Sequence, residues 1–291
     1  MLTSFKSQIN MKTKTNKQKL TSKFLLRTLL TLIAVIAFET SSMGAARFAV
    51  STGNWSGSIW ASTVGGTAGT AATPTSSDAV TINPGVTVTL TGSAACASLT
   101  VGDASTNSAA QLSVVAQTLT VSGNVSILGS NGGRKGIITV TTGTINITGN
   151  LTSSSAANAQ LTFSGAGAIN ITGNWALDPA ATFNPSTSTV TFNGATQLIT
   201  FASSFYNIVI GSSVSTTAQG SLAIANDFTI NSTKTFIAGA FTHTVGGNWV
   251  NNGIFTPSTS TINFNANTAL QTISGSSTST FNILQIGRAH V

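Results

Sequence analysis

Short runs in which apolar residues alternate with small or polar ones recur along most of the chain. A period of two places successive side chains on opposite faces of a strand, so each run predicts a short, half-buried β-strand. The clearest runs are Leu99–Val101, Leu119–Val121, Ile145–Ile147, Ile169–Ile171 and Leu222–Ile224. Beyond the first few dozen residues, no segment has the 3.6-residue spacing of an amphipathic helix. The pattern therefore predicts an all-β chain.

Gly-Asn pairs punctuate these runs at regular intervals. They stand at Gly123-Asn124, Gly149-Asn150, Gly173-Asn174 and Gly247-Asn248, and the last step is roughly three times as long as the first two. A unit of roughly two dozen residues that holds three short strands is one coil of a β-solenoid. Over residues 96–285 we predict a parallel β-helix with coils of about 22–26 residues. Its corners should use positive-φ glycines, and Asn124, Asn150, Asn174 and Asn248 should form a ladder of stacked amides.

A longer repeat is superimposed on the short one. Residues 183–193 return as residues 255–265, a shift of 72, and residues 205–211 return as residues 281–287. With coils of about 24 residues, this repeat corresponds to about three coils.

Residues 1–46 differ in composition from the rest. A basic start is followed by an apolar run, Leu29–Phe38, and by the small residues Gly44, Ala45 and Ala46. This is the layout of a signal peptide cleaved after Ala46, with Met11 as an alternative start. A membrane anchor is the alternative, but the run is shorter than the roughly 20 residues that a span needs. We therefore expect a secreted protein, extracellular or on the outer cell surface, with no stable membrane span after cleavage.

The net charge of +7 is concentrated in this leader. Seven of the 12 Lys and Arg residues lie there, and Arg288 lies near the end. Four basic residues and four Asp residues remain between them, so the exported part is close to neutral. Binding to nucleic acid needs a clustered positive face, and we expect no nucleic-acid partner.

The two ends of the solenoid carry further expectations. Residues 47–95 should form an N-terminal cap with the first strands, in which Trp55 and Trp60 close the core. A platform for sugars is the alternative role of these two rings. At the other end, Ile286–Val291 matches the translation of a widely used sequencing-library adapter. We expect residues 286–291 to be non-native and the natural protein to continue.

Several segments resemble large secreted bacterial β-solenoid proteins. They are the Gly53-Asn-Trp55 opening with Trp60, then Asp78–Ile82, Gly85–Leu90, Ala97–Val101 and Ser188–Gly194. The chain is similar to the adhesin-like surface proteins of that kind, many of which leave the cell by type IX secretion through a C-terminal sorting domain. The resemblance covers nearly all of residues 47–285 and implies a solenoid fold and an adhesive role. No sorting domain is recognisable, which truncation would explain.

Groups able to carry out chemistry are scarce. Asp78 and Asp103 are the one carboxylate pair whose spacing, about the length of one coil, would stack them one strand apart as a weak metal or catalytic site. His243 should point outward into solvent from its strand. Cys96 should be a buried small residue, with a reactive or intermolecular thiol as the alternative. We expect no catalytic residues and no cofactor.

Two classes of function remain open. The first is a non-enzymatic structural or adhesive solenoid, the stalk or body of a surface adhesin, whose partners are surface glycans or neighbouring cell surfaces. The second is a carbohydrate-binding or polysaccharide-degrading β-helix, with the indole rings of Trp55, Trp60, Trp175 and Trp249 as candidate ligand platforms. A Thr-rich ice-binding or mineral-binding face is a third reading.

Overall fold

The computed structural model describes residues 44–103, 107–130, 132–212, 214–266 and 270–287. These residues form strands and turns without a helix, and they wind as a parallel β-solenoid of about nine turns. The predicted fold class is confirmed. The predicted signal peptide, apart from its last three residues, and the predicted tail beyond Gly287 lie outside the described residues.

Most coils contribute one strand to each of three faces, and the strands of a face stack into a sheet. Sheet A comprises β1 (Ala46–Ala49), β3 (Trp60–Ala61), β4 (Ala79–Ile82), β7 (Ser98–Val101), β10 (Val125–Ile127), β13 (Leu151–Ser153), β16 (Trp175–Ala176), β19 (Thr196–Ile199), β22 (Ser215–Ala218), β25 (Thr235–Ile237) and β28 (Ile254–Thr256). Sheet B comprises β2 (Gly53–Asn54), β5 (Thr87–Leu90), β8 (Ala109–Val114), β11 (Lys135–Val140), β14 (Ala159–Phe163) and β17 (Thr182–Asn184).

Two further sheets complete the coils. Sheet C comprises β6 (Ala94–Cys96), β9 (Thr118–Val121), β12 (Thr144–Ile147), β15 (Ala168–Ile171), β18 (Thr189–Phe192), β21 (Asn207–Ile210), β24 (Phe228–Ile230), β27 (Trp249–Asn251) and β30 (Ile273–Ser274). Sheet D comprises β20 (Ser203–Phe205), β23 (Leu222–Ile224), β26 (Thr242–Val245), β29 (Thr261–Phe264) and β31 (Ile283–Ile286). The chain visits A, B and C in turn from β4 to β18, and A, D and C from β19 to β30, so sheet D takes the place of sheet B.

Successive coils pair in parallel, and the length of a coil varies. Val125 lies opposite Leu99 and Ile208 lies opposite Val190, and the second of these two coil steps is about a third shorter in sequence than the first. The turns absorb this difference, because the strands themselves stay in register. The coils are therefore less uniform than the spacing of the Gly-Asn pairs predicted.

The alternation seen in the sequence becomes an alternation of burial. In β12, Ile145 and Ile147 are buried, whereas Thr144 and Asn146 are half-buried on the outer face. The inward side chains of all faces join in one apolar cluster that runs from Ala49 to Phe264. Burial of this apolar surface is the main favourable term in folding. The outer faces carry mostly Thr, Ser and Asn, so the sheets are solvated on one side.

The longer repeat does not correspond to three coils. Trp175 begins β16 in sheet A, and its counterpart Trp249 begins β27 in sheet C, eleven strands later. Likewise Phe183 of sheet B returns as Phe255 of sheet A. Eleven strands amount to three and two-thirds coils, so the second copy is rotated by one face. The expectation of three coils was wrong because the intervening coils are shorter than those from which the period was read.

The two copies nevertheless build the same core. We call residues 173–211 module 1, and residues 247–266 with 270–287 module 2. In module 1 the Trp175 ring lies 5.0 Å from Phe183, 6.3 Å from Phe192 and 5.1 Å from Phe205, between ring centroids. The corresponding distances from Trp249 to Phe255, Phe264 and Phe281 are 4.8, 6.4 and 5.4 Å. Conserving this aromatic cluster preserves local packing although the face of the solenoid changes.

The first coil differs from those that follow. Strand β3 pairs antiparallel with β1, placing Ala61 opposite Phe48, so the outer edge of β1 is covered. The Trp55 and Trp60 rings meet edge to face at 5.1 Å, and Trp60 Nε1 donates to the carbonyl oxygen of Trp55. Both rings are buried, and their role in closing the core at this end stays a prediction.

The glycines of the Gly-Asn corners serve a purpose that the sequence did not predict. None of Gly123, Gly149, Gly173 and Gly247 is among the glycines with positive φ. Gly149 N donates to Gly123 O at 2.9 Å and Gly173 N donates to Gly149 O at 3.2 Å, whereas Gly247 N donates to Asn226 O. A Cβ on Gly173 would lie 2.2 Å from the Gly149 oxygen. Close approach of successive backbones, rather than a left-handed conformation, requires glycine here.

This difference can be measured with two substitutions. Gly173→Ala should lower the free energy of unfolding by about 1–3 kcal/mol, because the added methyl forces stacked coils apart. The control is Gly92→Ala, at an exposed turn where a Cβ would meet no atom within 4 Å; it should change stability by less than about 0.5 kcal/mol. Urea unfolding followed by circular dichroism measures both. Equal effects of the two substitutions would contradict the close-approach role.

Candidate functional site

The predicted asparagine ladder exists at one corner and has three members. Asn150 N donates to Asn124 Oδ1 at 2.8 Å, and Asn174 N donates to Asn150 Oδ1 at 2.8 Å. The ladder ends on Leu198, whose N–H donates to Asn174 Oδ1 at 2.9 Å. The contacts join a side-chain oxygen to the backbone of the next coil, whereas stacked side-chain amides were expected. Asn124 and Asn150 thus satisfy backbone donors at the turns, and Asn174 satisfies the N–H of Leu198 in β19.

Asn248 belongs to a different ladder, at the corner before sheet C. There Asp227 N donates to Asn207 Oδ1, and Asn248 N donates to Asp227 Oδ1 at 2.7 Å. Thr272 N continues the series by donating to Asn248 Oδ1 at 3.0 Å. The prediction placed Asn248 with the other three because its Gly-Asn pair looks the same in the sequence. The rotation of module 2 by one face moves it to the other corner.

Two glutamines have equivalent roles that sequence reasoning missed. Gln197 Oε1 accepts the N–H of Gly194, and its Nε2 donates to the carbonyls of Ile171 and Gly173. Gln271 makes the same three contacts, with Ala266, Val245 and Gly247. Their spacing could have revealed them, because Gln197 and Gln271 are separated by the same number of residues as Gly173 and Gly247.

A concavity lies where sheet D takes over from sheet B. Two adjoining hollows of about 380 and 530 Å³ share Ser204, Ala223 and Thr244 in their floor. These three residues are in register on neighbouring strands. The hollow forms because their side chains are small. One wall carries Leu177, Pro179 and Phe183, and the far end carries Asn265. We call this surface the sheet D groove; its lining is rich in hydroxyl groups and contains one charged residue, Asp178.

The four tryptophans lie in the core and not on this groove. Trp55, Trp60, Trp175 and Trp249 are each at most 4% exposed. Trp175 Nε1 donates to Ser203 Oγ at 3.3 Å, and Trp249 Nε1 donates to Ser279 Oγ at 2.9 Å. A sugar stacks on an exposed ring face, and none of these rings offers one. Their placement does not favour the ligand-platform alternative.

The structure separates Asp78 from Asp103. The carbonyl of Asp78 accepts the N–H of Ala97, so Ala97 is its neighbour in the next coil, and Asp103 lies six residues beyond Ala97. Strand β7 (Ser98–Val101), which lies between the two positions, alone spans about 13 Å. The expected stacking of the two carboxylates as a metal or catalytic pair is therefore wrong.

The carboxylates have local structural partners instead. Asp78 is buried; burial alone would raise its pKa, but hydrogen bonds from Thr75 and the nearby Arg47 guanidinium hold that pKa below its usual value. Asp178 Oδ1 accepts the N–H of Ala180 at 2.9 Å, which closes a turn. Asp227 supports the ladder before sheet C. Three of the four Asp side chains thus bind backbone N–H groups, as Asp commonly does at turns.

His243 lies in the core, contrary to the expectation of a solvated side chain. In β26 the alternation places His243 and Val245 inward. Its Nδ1 accepts the N–H of Leu222 at 3.1 Å, so Nε2 carries the proton and contacts the carbonyl oxygen of Ala238 at 2.8 Å. Burial lowers the pKa of His243, although the contact with Ala238 acts in the opposite direction. The prediction failed because the sequence Thr-His-Thr does not indicate whether the Thr or the His side chains of the strand face the core.

Cys96 is a buried free thiol, as predicted. Burial raises its pKa to about 12. The thiolate is the reactive form of cysteine. Cys96 is therefore protected from oxidation and alkylation, because reagents cannot reach it and because little of it is ionised.

Comparisons with known proteins give no relative. No protein-family model matches the chain, and neither the curated proteins nor the solved structures contain a match. Within the described ranges, no helix is long and apolar enough to cross a membrane. In the same part of the chain, no group of three or more His, Cys, Asp or Glu side chains is placed to hold a metal ion.

The burial of neutral His243 predicts a dependence of stability on pH. Because its folded pKa is lowered, the unfolded chain takes up the proton first, so the free energy of unfolding should fall as pH decreases below about 6.5. His243→Gln, whose amide can still donate to Ala238, should be less stable at neutral pH and lose this dependence. Urea unfolding of both proteins at pH 7.5, 6.5, 5.5 and 5.0 measures the difference in slope, in which any contribution of His290 cancels. Identical slopes for the two proteins would contradict the assignment.

Proposed function

We propose that the protein is a secreted bacterial β-solenoid with a structural or adhesive role, the stalk or body of a surface adhesin, and that it is not an enzyme. The observation that supports this most is the use of its polar groups. The Asn, Asp and Gln side chains of the ladders, and three of the four Asp side chains, bind backbone groups of their own or the adjacent coil. They stabilise the stack, so these amide and carboxylate groups already have partners within the fold.

The shape and surface of the solenoid agree with such a role. The nine strands of sheet C, about 4.8 Å apart, span roughly 40 Å along the axis. The outer surface consists mainly of Thr, Ser and Asn and carries few charged residues. A low charge density of this kind suits a location in an extracellular matrix or wall. Export through the leader, and the type IX route that the resemblance implies, belong to the same proposal.

The sheet D groove favours a second candidate, a module that binds an uncharged carbohydrate. Its floor of Ser204, Ala223 and Thr244 offers two hydroxyl groups and room beside them. A regular threonine face is less well supported, because the outward row of sheet C mixes residue types. That row reads Thr120, Asn146, Asn170, Thr191, Val209 and Thr229.

A glycan array and a hydrolysis assay with the purified protein test these alternatives. A non-enzymatic solenoid predicts no release of reducing ends from polysaccharides, and one that serves only as a passive stalk predicts no specific glycan signal either. The second candidate predicts a specific signal that Ala223→Arg abolishes by filling the groove, and that the matched control Thr120→Arg, on an exposed site of sheet C, leaves intact. Turnover of any polysaccharide would overturn the non-enzymatic proposal. A signal lost in Ala223→Arg alone would replace the passive stalk with the carbohydrate-binding module.

A further inference from the structure

The folded part of the chain includes residues that the sequence pattern assigned to the leader. Ala46 is the first residue of β1 and lies opposite Ala79 of β4. One residue earlier, the carbonyl oxygen of Ala45 accepts the N–H of Ala79 at 3.2 Å. Gly44 packs so closely on Ser77 that a Cβ at position 44 would overlap the carbonyl oxygen of Ser77. Cleavage after Ala46 would therefore remove residues that belong to the first pair of parallel strands.

The backbone of Ala45 also contacts a buried carboxylate. Asp78 is 3% exposed, and its Oδ2 accepts the N–H of Thr75 at 2.8 Å and the hydroxyl of Thr75 at 2.9 Å. Arg47 Nε lies 3.5 Å from the same oxygen. The N–H of Ala45 donates a further hydrogen bond to this carboxylate. Because a buried charge is costly unless it is paired and hydrogen-bonded, loss of Ala45 would remove one of the groups that stabilise Asp78.

The sequence offers two bonds at which the leader could be removed. A signal peptidase requires small residues at the last and the third-last position before the bond that it cleaves. Between residues 39 and 47, two bonds have Gly, Ala or Ser at both positions: the bond from Gly44 to Ala45 and the bond from Ala46 to Arg47. The spacing does not discriminate between them. The fold does, because a chain that starts at Ala45 keeps both contacts of that residue.

We propose that a signal peptidase cleaves the chain between Gly44 and Ala45, upstream of the predicted bond after Ala46, and that the ammonium group of Ala45 then pairs with Asp78. This inference rests on the proposed export of the protein. Water adds across the peptide bond, so that Gly44 leaves with a carboxylate and Ala45 keeps the new amino group.

The cleaved terminus suits its surroundings better than the amide that it replaces. An α-amino group has a pKa of about 7.7–8.0 and is mostly protonated at neutral pH. The N–H that contacts Asp78 thus becomes part of an ammonium group, and charge-assisted hydrogen bonds are stronger than neutral ones. Cleavage at this bond therefore places a second cation, besides Arg47, next to the buried carboxylate.

Variants of the full-length chain distinguish the two bonds. Each is expressed with its leader in a Gram-negative bacterium, and mass spectrometry identifies the first residue of the exported protein. Ser42→Phe places a large residue at the third-last position before the bond from Gly44 to Ala45, and it leaves both required positions of the other bond unchanged. The matched control, Ala46→Phe, blocks the bond from Ala46 to Arg47 instead. Position 46 is exposed, so the ring has room there.

The parent protein and the Ala46→Phe variant should both start at Ala45, and the product that starts at Ala45 should be lost in Ser42→Phe. A parent protein that is exported but starts at Arg47, or at any other residue, would overturn the inference and leave the proposed export intact. A parent protein that keeps its leader and stays in the cytoplasm would overturn both.

The pairing of the new amino group is tested on the same exported protein. Acetylation by a succinimidyl ester at neutral pH is followed at the amine of Ala45 and, as internal control, at the exposed Lys135. Unfolding in urea should speed acetylation of the Ala45 amine by roughly tenfold, because pairing with Asp78 keeps this amine protonated in the folded protein. Lys135 should react at nearly the same rate in both states. Ala45 is itself exposed, so burial does not slow its labelling, and equal acceleration at the two amines would overturn the pairing.

Discussion

A coil of this solenoid cannot satisfy its own backbone, and the rest of the structure depends on that constraint. In a parallel strand every N–H and C=O points toward a neighbouring strand, and here the neighbours are the coils before and after. A lone coil would leave most of these groups unpaired and would bury too little apolar surface to offset the entropy of ordering it. Stacking supplies the missing partners and the core together.

The corners are where this constraint is hardest to meet. Backbone groups at a turn lie outside the sheets, yet successive turns must keep the spacing of about 4.8 Å that the strands impose. The solenoid meets this with glycine, whose missing Cβ lets backbones stack, and with Asn, Asp and Gln side chains that accept or donate between coils. Side chains that would be candidates for a catalytic site in another fold are occupied by the scaffold.

Module 1 and module 2 show that the chain repeats its packing unit without repeating its orientation. Each module brings a tryptophan, three phenylalanines and a glutamine to the same mutual positions. Because all faces have similar strands and turns, a module can begin on any of them. The interactions that define a module are therefore local, within about two coils, and the overall winding is set by the lengths of the turns in between.

The fold class and the inward residues of most strands were predictable from the sequence, since period-two alternation and the Gly-Asn spacing report directly on strands and coils. The face on which a strand lies was not predictable, because it depends on the sum of all preceding turns; Asn248 and the pair of Asp78 and Asp103 were misplaced for that reason. His243 was misplaced because its strand alternates Thr with His, and hydropathy alone does not identify the buried member. The sheet D groove left no motif, since it arises from small residues on separate strands that only the register brings together.

The central claim, that the strands of sheet C stack in register coil upon coil, can be tested by one distance. Thr120 and Thr229 occupy equivalent outward positions on β9 and β24, five strand spacings apart although they are remote from each other in the sequence. Pulsed electron paramagnetic resonance between spin labels at Thr120→Cys and Thr229→Cys, in a Cys96→Ala background, should give a narrow distribution centred at about 24 Å. A broad distribution, or a mean distance beyond about 35 Å, would contradict the stacked solenoid.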